Sequence, residues 1–308
     1  MNLTAWYQRY ERWHGLDRAL RRSPAQAWFR SRAATRLAVL CYHSIEDPAA
    51  FAAQLDRLAR CATPVSLRQV EAAVYEGAPL PPRSVLLTFD DGDRSLYTHG
   101  LPLLAARRIP AVAYVVAALI GTDEPFWWDG LDAEQAYAVK QLPDAERRRV
   151  LAARPPRPRH PQLTAAELRA LRDGGVEIGS HTLTHPCLNR CEEAVVRSEV
   201  LDAHTLLAGH LGQAPTSFAY PNGDFDARAE RLLAQAGYRT GLLCDHRLAA
   251  PGLQHPLRLS RLRVSTLTTP ARFETVLSGL QPAVYRTGRG AVSGLRRVGA
   301  LPRTRPFP

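Results

Sequence analysis

Three observations predict an α/β fold built on a parallel sheet. Short apolar runs alternate with amphipathic segments of helical length, the pattern of strands joined by crossover helices. At 308 residues and 45% hydrophobic content the chain can bury a full core in one large domain, as α/β barrels often do. The chemically distinctive residues Asp90, Asp91, His181, His185 and Asn222 all fall at the carboxyl ends of predicted strands, where such folds place their chemistry. Periodicity alone leaves open whether the sheet closes into a barrel or stays open and doubly wound.

Residues 1–35 form a basic leader with Trp6, Tyr7, Tyr10, Trp13, Trp28 and Phe29. Leu37 to Tyr42 is an apolar run of strand length, and amphipathic helices are expected over about 49–60 and 67–76. Val85 to Phe89 reads as a buried strand with a helix over 94–107 behind it. Ala111 to Ala117, rich in β-branched residues, is the next strand. An insertion at about 120–162 then breaks the rhythm with Trp127 and Trp128, a charged helix and the Pro-rich stretch 154–158. The alternation resumes with a helix over 164–173, a strand over 175–179 and a long helix over 191–211. A strand over 216–219, a helix over 225–236, a strand over 238–243 and a late strand from Leu257 to Leu262 complete it. The domain of interest is therefore 36–284. The Gly-, Arg- and Pro-rich tail, 285–308, is expected to be flexible.

Thr88-Phe89-Asp90-Asp91-Gly92 closes the apolar run that begins at Ser84. Two adjacent carboxylates at a strand mouth resist joint ionisation, and a cation relieves that cost. Ser180-His181-Thr182-Leu183-Thr184-His185-Pro186 offers two imidazoles for one. An Asp with two His is a three-ligand set that leaves a coordination position open for water. It points to metal-assisted hydrolysis, with the second Asp free as base. Taken singly, Asp-Asp-Gly is more often a turn, and a His-x-x-x-His pair is more often a surface pair. Zinc suits one carboxylate and two imidazoles, although cobalt, nickel or iron would accept the same donors.

These motifs, with Phe218-Ala219-Tyr220-Pro221-Asn222-Gly223, resemble in order and spacing those of the polysaccharide deacetylases, the chitooligosaccharide-deacetylase homology family. The resemblance takes in Leu40 to His43, Ile109 to Ala111 and Leu259 to Val264, and so covers roughly 37–280. It implies a distorted, incomplete (β/α) barrel. It also implies that Asp91, His181 and His185 hold the metal, that Asp90 is the general base, and that the N–H of Asn222 stabilises the oxyanion. Tyr220 or Pro221 would line the sugar-facing wall. The plainer reading of Tyr-Pro-Asn-Gly is a turn, and both hold together if the turn aims the N–H inward.

The chain departs from the family pattern twice. The Arg usually found two residues before the third motif's proline is replaced by Ala219, and Arg261 is the candidate to supply that guanidinium from another direction. The late His that serves as general acid has no clean counterpart; His43, ending the first strand, is the candidate in its place. The early Tyr-His and late Phe-Ala-Tyr-Pro are similar to the branch of exopolysaccharide and surface-glycan deacetylases. Trp127 and Trp128 are read as a sugar-stacking wall or as a hydrophobic plug under a long loop.

Forty Lys and Arg against 29 Asp and Glu give a formal net charge of +11, which favours anionic partners or simply a solvated basic surface. No nucleic-acid module is recognisable, so nucleic acid is not expected. The five cysteines, Cys41, Cys61, Cys187, Cys191 and Cys244, are too few and odd for a secreted framework and read as reduced structural thiols. No apolar signal segment opens the chain, so a cytoplasmic location is expected. The leader's tryptophans and arginines suit either an anionic bilayer at the inner membrane face or a helix packed across the barrel. The expected substrate is an acetylated amino sugar, an oligosaccharide or a lipid-linked glycan precursor. Removal of a formyl group from a lipid-linked sugar and an inactive glycan-binding role are the rival functions.

Overall fold

The structure, a computed structural model, describes residues 14–155 and 159–286. Two helices open it, α1 (His14–Arg22) and α2 (Pro24–Ala33). Then β1 (Ala38–Tyr42), α3 (Pro48–Cys61), the short β2 (Thr63–Pro64), α4 (Leu67–Tyr75) and β3 (Ser84–Phe89) follow. α5 (Leu101–Arg107), β4 (Ala111–Val115), α6 (Ala133–Gln141), α7 (Asp144–Ala152), α8 (Ala165–Asp173) and β5 (Val176–Ser180) come next. The chain ends with α9 (Glu193–Leu211), β6 (Ser217–Ala219), α10 (Ala227–Gln235), β7 (Thr240–Leu242), β8 (Leu262–Arg263) and α11 (Pro270–Leu277).

All the strands are parallel and run in the order β7-β6-β5-β4-β3-β1-β8, with β2 pairing β3. The residues before β8 hold the sheet's two ends together. Leu259 bridges Leu242, the last residue of β7, while Leu262 and Arg263 pair with Leu40 and Cys41 of β1. The sheet therefore curls into a distorted, incomplete (β/α) barrel.

Alternation along each strand sorts the side chains. Ala38, Leu40 and Tyr42 of β1 and Val85, Leu87 and Phe89 of β3 face outward, where Phe51, Leu55, Leu58 and Leu104 of the helices bury them. Leu37, Val39, Leu86, Val112 and Tyr114 fill the interior, closed at its base by Val65, Leu67 and Val70 beside and within α4. Gly179 has to be glycine, since a Cβ there would lie 2.5 Å from the Tyr114 ring and 2.8 Å from Ser217 O. By the same alternation Thr88 and Asp90 point inward.

Differences from the sequence expectation are local. The helix expected over 94–107 is a π-turn, Leu96–Gly100, leading into a shorter α-helix, with Pro102 at the position where its missing N–H costs least. The charged helix of the insertion is two helices broken before Asp144 by Pro143. The late strand begins as a 3₁₀ turn, Pro256–Arg258, and becomes a strand only at Leu262.

Of the leader, Trp6, Tyr7, Tyr10 and Trp13 lie outside the described residues, as does the tail from 287. The described part packs on α11. Asp17 of α1 pairs with Arg272 at 2.9 Å, both buried, and the Gln26 side chain accepts from Ser278 Oγ at 2.9 Å. Trp28, by contrast, is 56% exposed. No helix among the described residues is long and apolar enough to cross a membrane.

Removing one partner of a buried ion pair leaves the other uncompensated, at about 3–5 kcal/mol. Arg272→Met should therefore lower the urea midpoint markedly, and Arg272→Met with Asp17→Leu should recover most of the loss. A double variant no more stable than the single would show that the pair does not hold α1 to the barrel.

Candidate active site

A cavity of about 270 Å³ opens at the carboxyl ends of the strands, lined by His43, Asp90, Asp91, His181, His185 and Asn222 among others. Asp90 follows β3 and hangs its amide on Tyr42 O at 2.9 Å. Asp91 then turns left-handed, φ 75°, which redirects its carboxylate. Thr182 and His185 are left-handed as well, φ 71° and 59°. The loop is thus a tight non-helical turn after β5, as its proline predicts.

His181 donates from Nδ1 to Ala219 O at 2.7 Å, leaving Nε2 to face Asp91 Oδ1 at 3.5 Å. His185 Nε2 also lies 3.5 Å from Asp91 Oδ1. One donor atom from each of Asp91, His181 and His185 falls within 4.8 Å of the others. Asp91 Oδ1 is buried with no hydrogen-bond partner. A buried carboxylate oxygen facing two imidazole nitrogens without a proton donor fits a divalent cation. Burial opposes its ionisation, but the two imidazoles and His43 outweigh that and hold Asp91 well below the usual carboxylate range. The same burial lowers His185 to about 3, helped by the neighbouring His181 charge.

Arg261 is fully buried. Its Nη1 and Nη2 meet the two oxygens of Asp90 at 2.6 and 2.7 Å. Nε donates to Leu243 O at 2.8 Å and Nη1 also to Thr88 Oγ1 at 3.1 Å. The guanidinium thus reaches Asp90 from the residues that lead into β8. Burial would raise the Asp90 pKa, yet Arg261, with His181, brings it down to about 2. Asp90 is therefore ionised, and its partner is a fixed charge.

His43 borders the cavity, and its nearest ring nitrogen lies within 4.8 Å of Asp90 and Cys41 donor atoms. Burial, then Arg263, lowers its pKa to about 4. Asn222 lines the cavity in a left-handed turn, φ 59°. Gly223 beside it packs so close that a Cβ would lie 2.4 Å from Cys244 N. Pro221 is buried and does not reach the cavity lining.

Tyr220 does not form the sugar-facing wall. Alternation along β6 turns Phe218 and Tyr220 outward, and Tyr220 is fully buried with Phe218, Val200 and Leu233 under the helices. On the insertion side the cavity is lined instead by Trp127, Trp128, Tyr137 and Lys140. Trp127 and Trp128 line the cavity and also touch the loop that carries the two histidines. Trp127 Nε1 donates to His185 O at 2.9 Å, and Trp128 meets the His185 ring edge-on at 4.6 Å.

Sequence reasoning missed three contributors. Glu199 of α9 accepts from the amides of Leu183 and Thr184 at 2.9 and 2.8 Å, pinning the loop between the two histidines. Cys41 is more than a packing thiol, since its Sγ lies 3.4 Å from Asp90 Oδ2. Cys41 and Cys244 both line the cavity, and all five cysteines are free. Lys140, on the insertion, pairs with Asp224 at 3.4 Å across the cavity rim. Inward alternation was the available signal for Cys41; a partner sixteen residues away gave none for Glu199.

Residues 77–241 match the polysaccharide deacetylase family. A stretch of 59 residues is 46% identical to the poly-beta-1,6-N-acetyl-D-glucosamine N-deacetylase of Escherichia coli (strain K12), covering 19% of this chain and 9% of that protein. The chain thus spans under a tenth of that relative's length. A putative polysaccharide deacetylase of Bacillus subtilis (strain 168), YxkH, is 21% identical over 266 residues, 83% of this chain and 81% of its own. The solved deacetylase PplD of Streptococcus pyogenes shares the fold, with a TM-score of 0.61 and 20% identity over 79% of this chain and 98% of its own. With the family match extending over just more than half of its residues, and both carboxylates and both histidines inside that match, the chain belongs to the polysaccharide deacetylase family.

Proposed function

We propose that the protein is a metal-dependent hydrolase that removes the N-acetyl group from an amino sugar or a glycan precursor. The observation that carries this reading is the convergence, in one cavity, of a three-donor set, Asp91, His181 and His185, with a separate carboxylate, Asp90, kept ionised by Arg261. The family membership supports it.

A divalent cation held by Asp91, His181 and His185, zinc by the chemistry of its donors, would supply Lewis acidity toward the acyl carbonyl and acidify a water. Asp90 takes the proton of the attacking water, a role worth about 10²–10⁴-fold in rate. Arg261 fixes both Asp90 oxygens, so the base is oriented before substrate arrives. The Asn222 turn presents backbone to the developing oxyanion. Return of the proton to the departing amine falls to Asp90 and His43 acting together. The His43 ring stays neutral beside Arg263 until a proton reaches it. Trp127, Trp128 and Tyr137 form the sugar-facing wall, where flat apolar ring faces suit a pyranose.

Acetate and formate release from matched N-acetyl and N-formyl amino sugars, with and without a chelator, tests this reading. Chelator-sensitive acetate release is expected. Formate release without acetate would replace deacetylation by deformylation, and bound metal with no turnover on any acyl sugar would leave a glycan-binding protein.

The two carboxylates should separate cleanly. His181→Ala, His185→Ala and Asp91→Ala should each lose metal and activity together. Asp90→Asn should keep its metal while kcat falls by about 10²–10⁴-fold. Metal content per folded molecule, read by elemental analysis, decides the matter. Release of the metal by Asp90→Asn as readily as by His181→Ala would reverse the assignment.

Arg261→Lys keeps a charge but loses the two-pronged contact, so kcat should fall with KM little changed. Burial then goes less opposed, the Asp90 pKa rises, and the acidic limb of the pH–rate profile moves to higher pH. A raised KM with an unmoved limb would place Arg261 on the substrate instead.

A further inference from the structure

At the opposite end of the barrel from the active site lies a second cavity, of about 390 Å³. Its floor includes Ala38, Ser84 and Val85, the first residues of β1 and β3. Five arginines line it: Arg30 of α2, Arg36 ahead of β1, Arg57 and Arg60 of α3, and Arg83 ahead of β3. Glu274 of α11 is the one carboxylate among the lining residues.

The charges do not balance. Arg30 and Arg57 both converge on Glu274, Arg30 at 3.4 Å, and Arg21 reaches it from outside at 3.6 Å. One carboxylate neutralises one guanidinium, so this group already carries excess positive charge. Among the described residues Arg36, Arg60 and Arg83 meet no carboxylate within ion-pair distance. Like charges gathered in a concave, partly dry wall raise the local potential well above that of a flat basic surface. A surface that served only solubility would spread them apart.

Arg83 is also held in place at some cost. Its backbone is left-handed, φ 58°, a conformation that costs a non-glycine residue of order 1 kcal/mol. Its N–H donates to Ala34 O at 3.0 Å and its carbonyl accepts from Thr63 N at 2.9 Å. The guanidinium therefore departs from a fixed point between α2 and β3.

We propose that this cavity is a binding site for a phosphate-bearing anion. Guanidinium forks match phosphate oxygens in pairs, and several forks facing one concavity suit a phosphate or diphosphate better than a single carboxylate. The site is independent of the catalytic cavity. Two sources present the same chemistry, a soluble phosphorylated ligand and the headgroup of an anionic lipid. In the second case Trp28, exposed on α2 with Arg32 stacked 4.8 Å from its ring, would enter the interface. The barrel mouth would then face away from the bilayer.

Two probes test the site on the full chain, sodium pyrophosphate by titration calorimetry and phosphatidylglycerol–phosphatidylcholine vesicles by sedimentation. Three proteins are compared: the wild type, Arg36→Ala with Arg83→Ala, and a charge-matched control on the helical exterior, Arg197→Ala with Arg231→Ala. Pyrophosphate should bind the wild type and the control alike, and the cavity variant at least about tenfold more weakly. It should also slow reaction of the half-buried Cys61 thiol, which lines the cavity, with a disulfide reagent. Pyrophosphate binding without vesicle binding assigns a soluble ligand. Vesicle binding that pyrophosphate displaces, and that the cavity variant lacks, assigns a headgroup. Equal weakening in both variants would show a response to net charge alone and overturn the proposal, as would no binding of either probe.

Discussion

The contact on which the rest of the site depends is the buried pair of Arg261 and Asp90. Taking both charges out of water costs several kcal/mol per ion, recovered only when geometry and hydrogen bonding are nearly complete. Here they are. Both carboxylate oxygens receive an N–H, and two further donors go to Leu243 O and Thr88 Oγ1. Thr88 is itself tied to Leu40 O at 2.8 Å. Asp90 is thus braced by β1, β3 and the residues leading into β8 at once. Tyr114 adds its ring face, 5.6 Å from the guanidinium carbon, which favours the charge further.

The side of the cavity that carries Asp91 and the two histidines is organised by a different constraint, backbone strain. Asp91, Thr182, His185 and Asn222 all occupy the left-handed region without being glycine, each at a cost that the surroundings have to cover. Glu199 does so for the His-containing loop by capturing two of its amides. Trp127 does so from the other side by bonding to His185 O. The insertion is held in turn by the bridge from Gln162 to Asp93 and by His160, 3.1 Å from Asp93. Helix, loop and insertion therefore share one hydrogen-bonded frame.

Much of this was legible in the chain because it is local. Ser84 to Gly92 carries the strand, its inward face and both carboxylates within nine residues, and Ser180 to Pro186 carries both imidazoles and the turn. Arg261 was legible only as a substitute, since Ala219 left a charge missing and the late strand offered a cation at its end. Tyr220 was misplaced for want of the same alternation argument: if Ala219 faces the interior, its neighbour cannot. Glu199 and the wall contributed by Tyr137 and Lys140 depend on how a helix and an insertion dock, which no short-range pattern records. The excess of arginine was visible as a number, but its gathering between α2, α3 and α11 requires the fold.

The stretch from Leu259 to Arg263 joins the two ends of the sheet and carries Arg261 midway along it. Closure of the sheet and the pairing of Asp90 thus hang on one seam, which behaves as a fuse. A molecule whose barrel gapes there withdraws the counter-charge from Asp90, so with Asp90 as the proposed base an ajar barrel would be silenced and would not become a sluggish, unselective hydrolase. Damage to the architecture at this line and loss of the buried ion pair are one event.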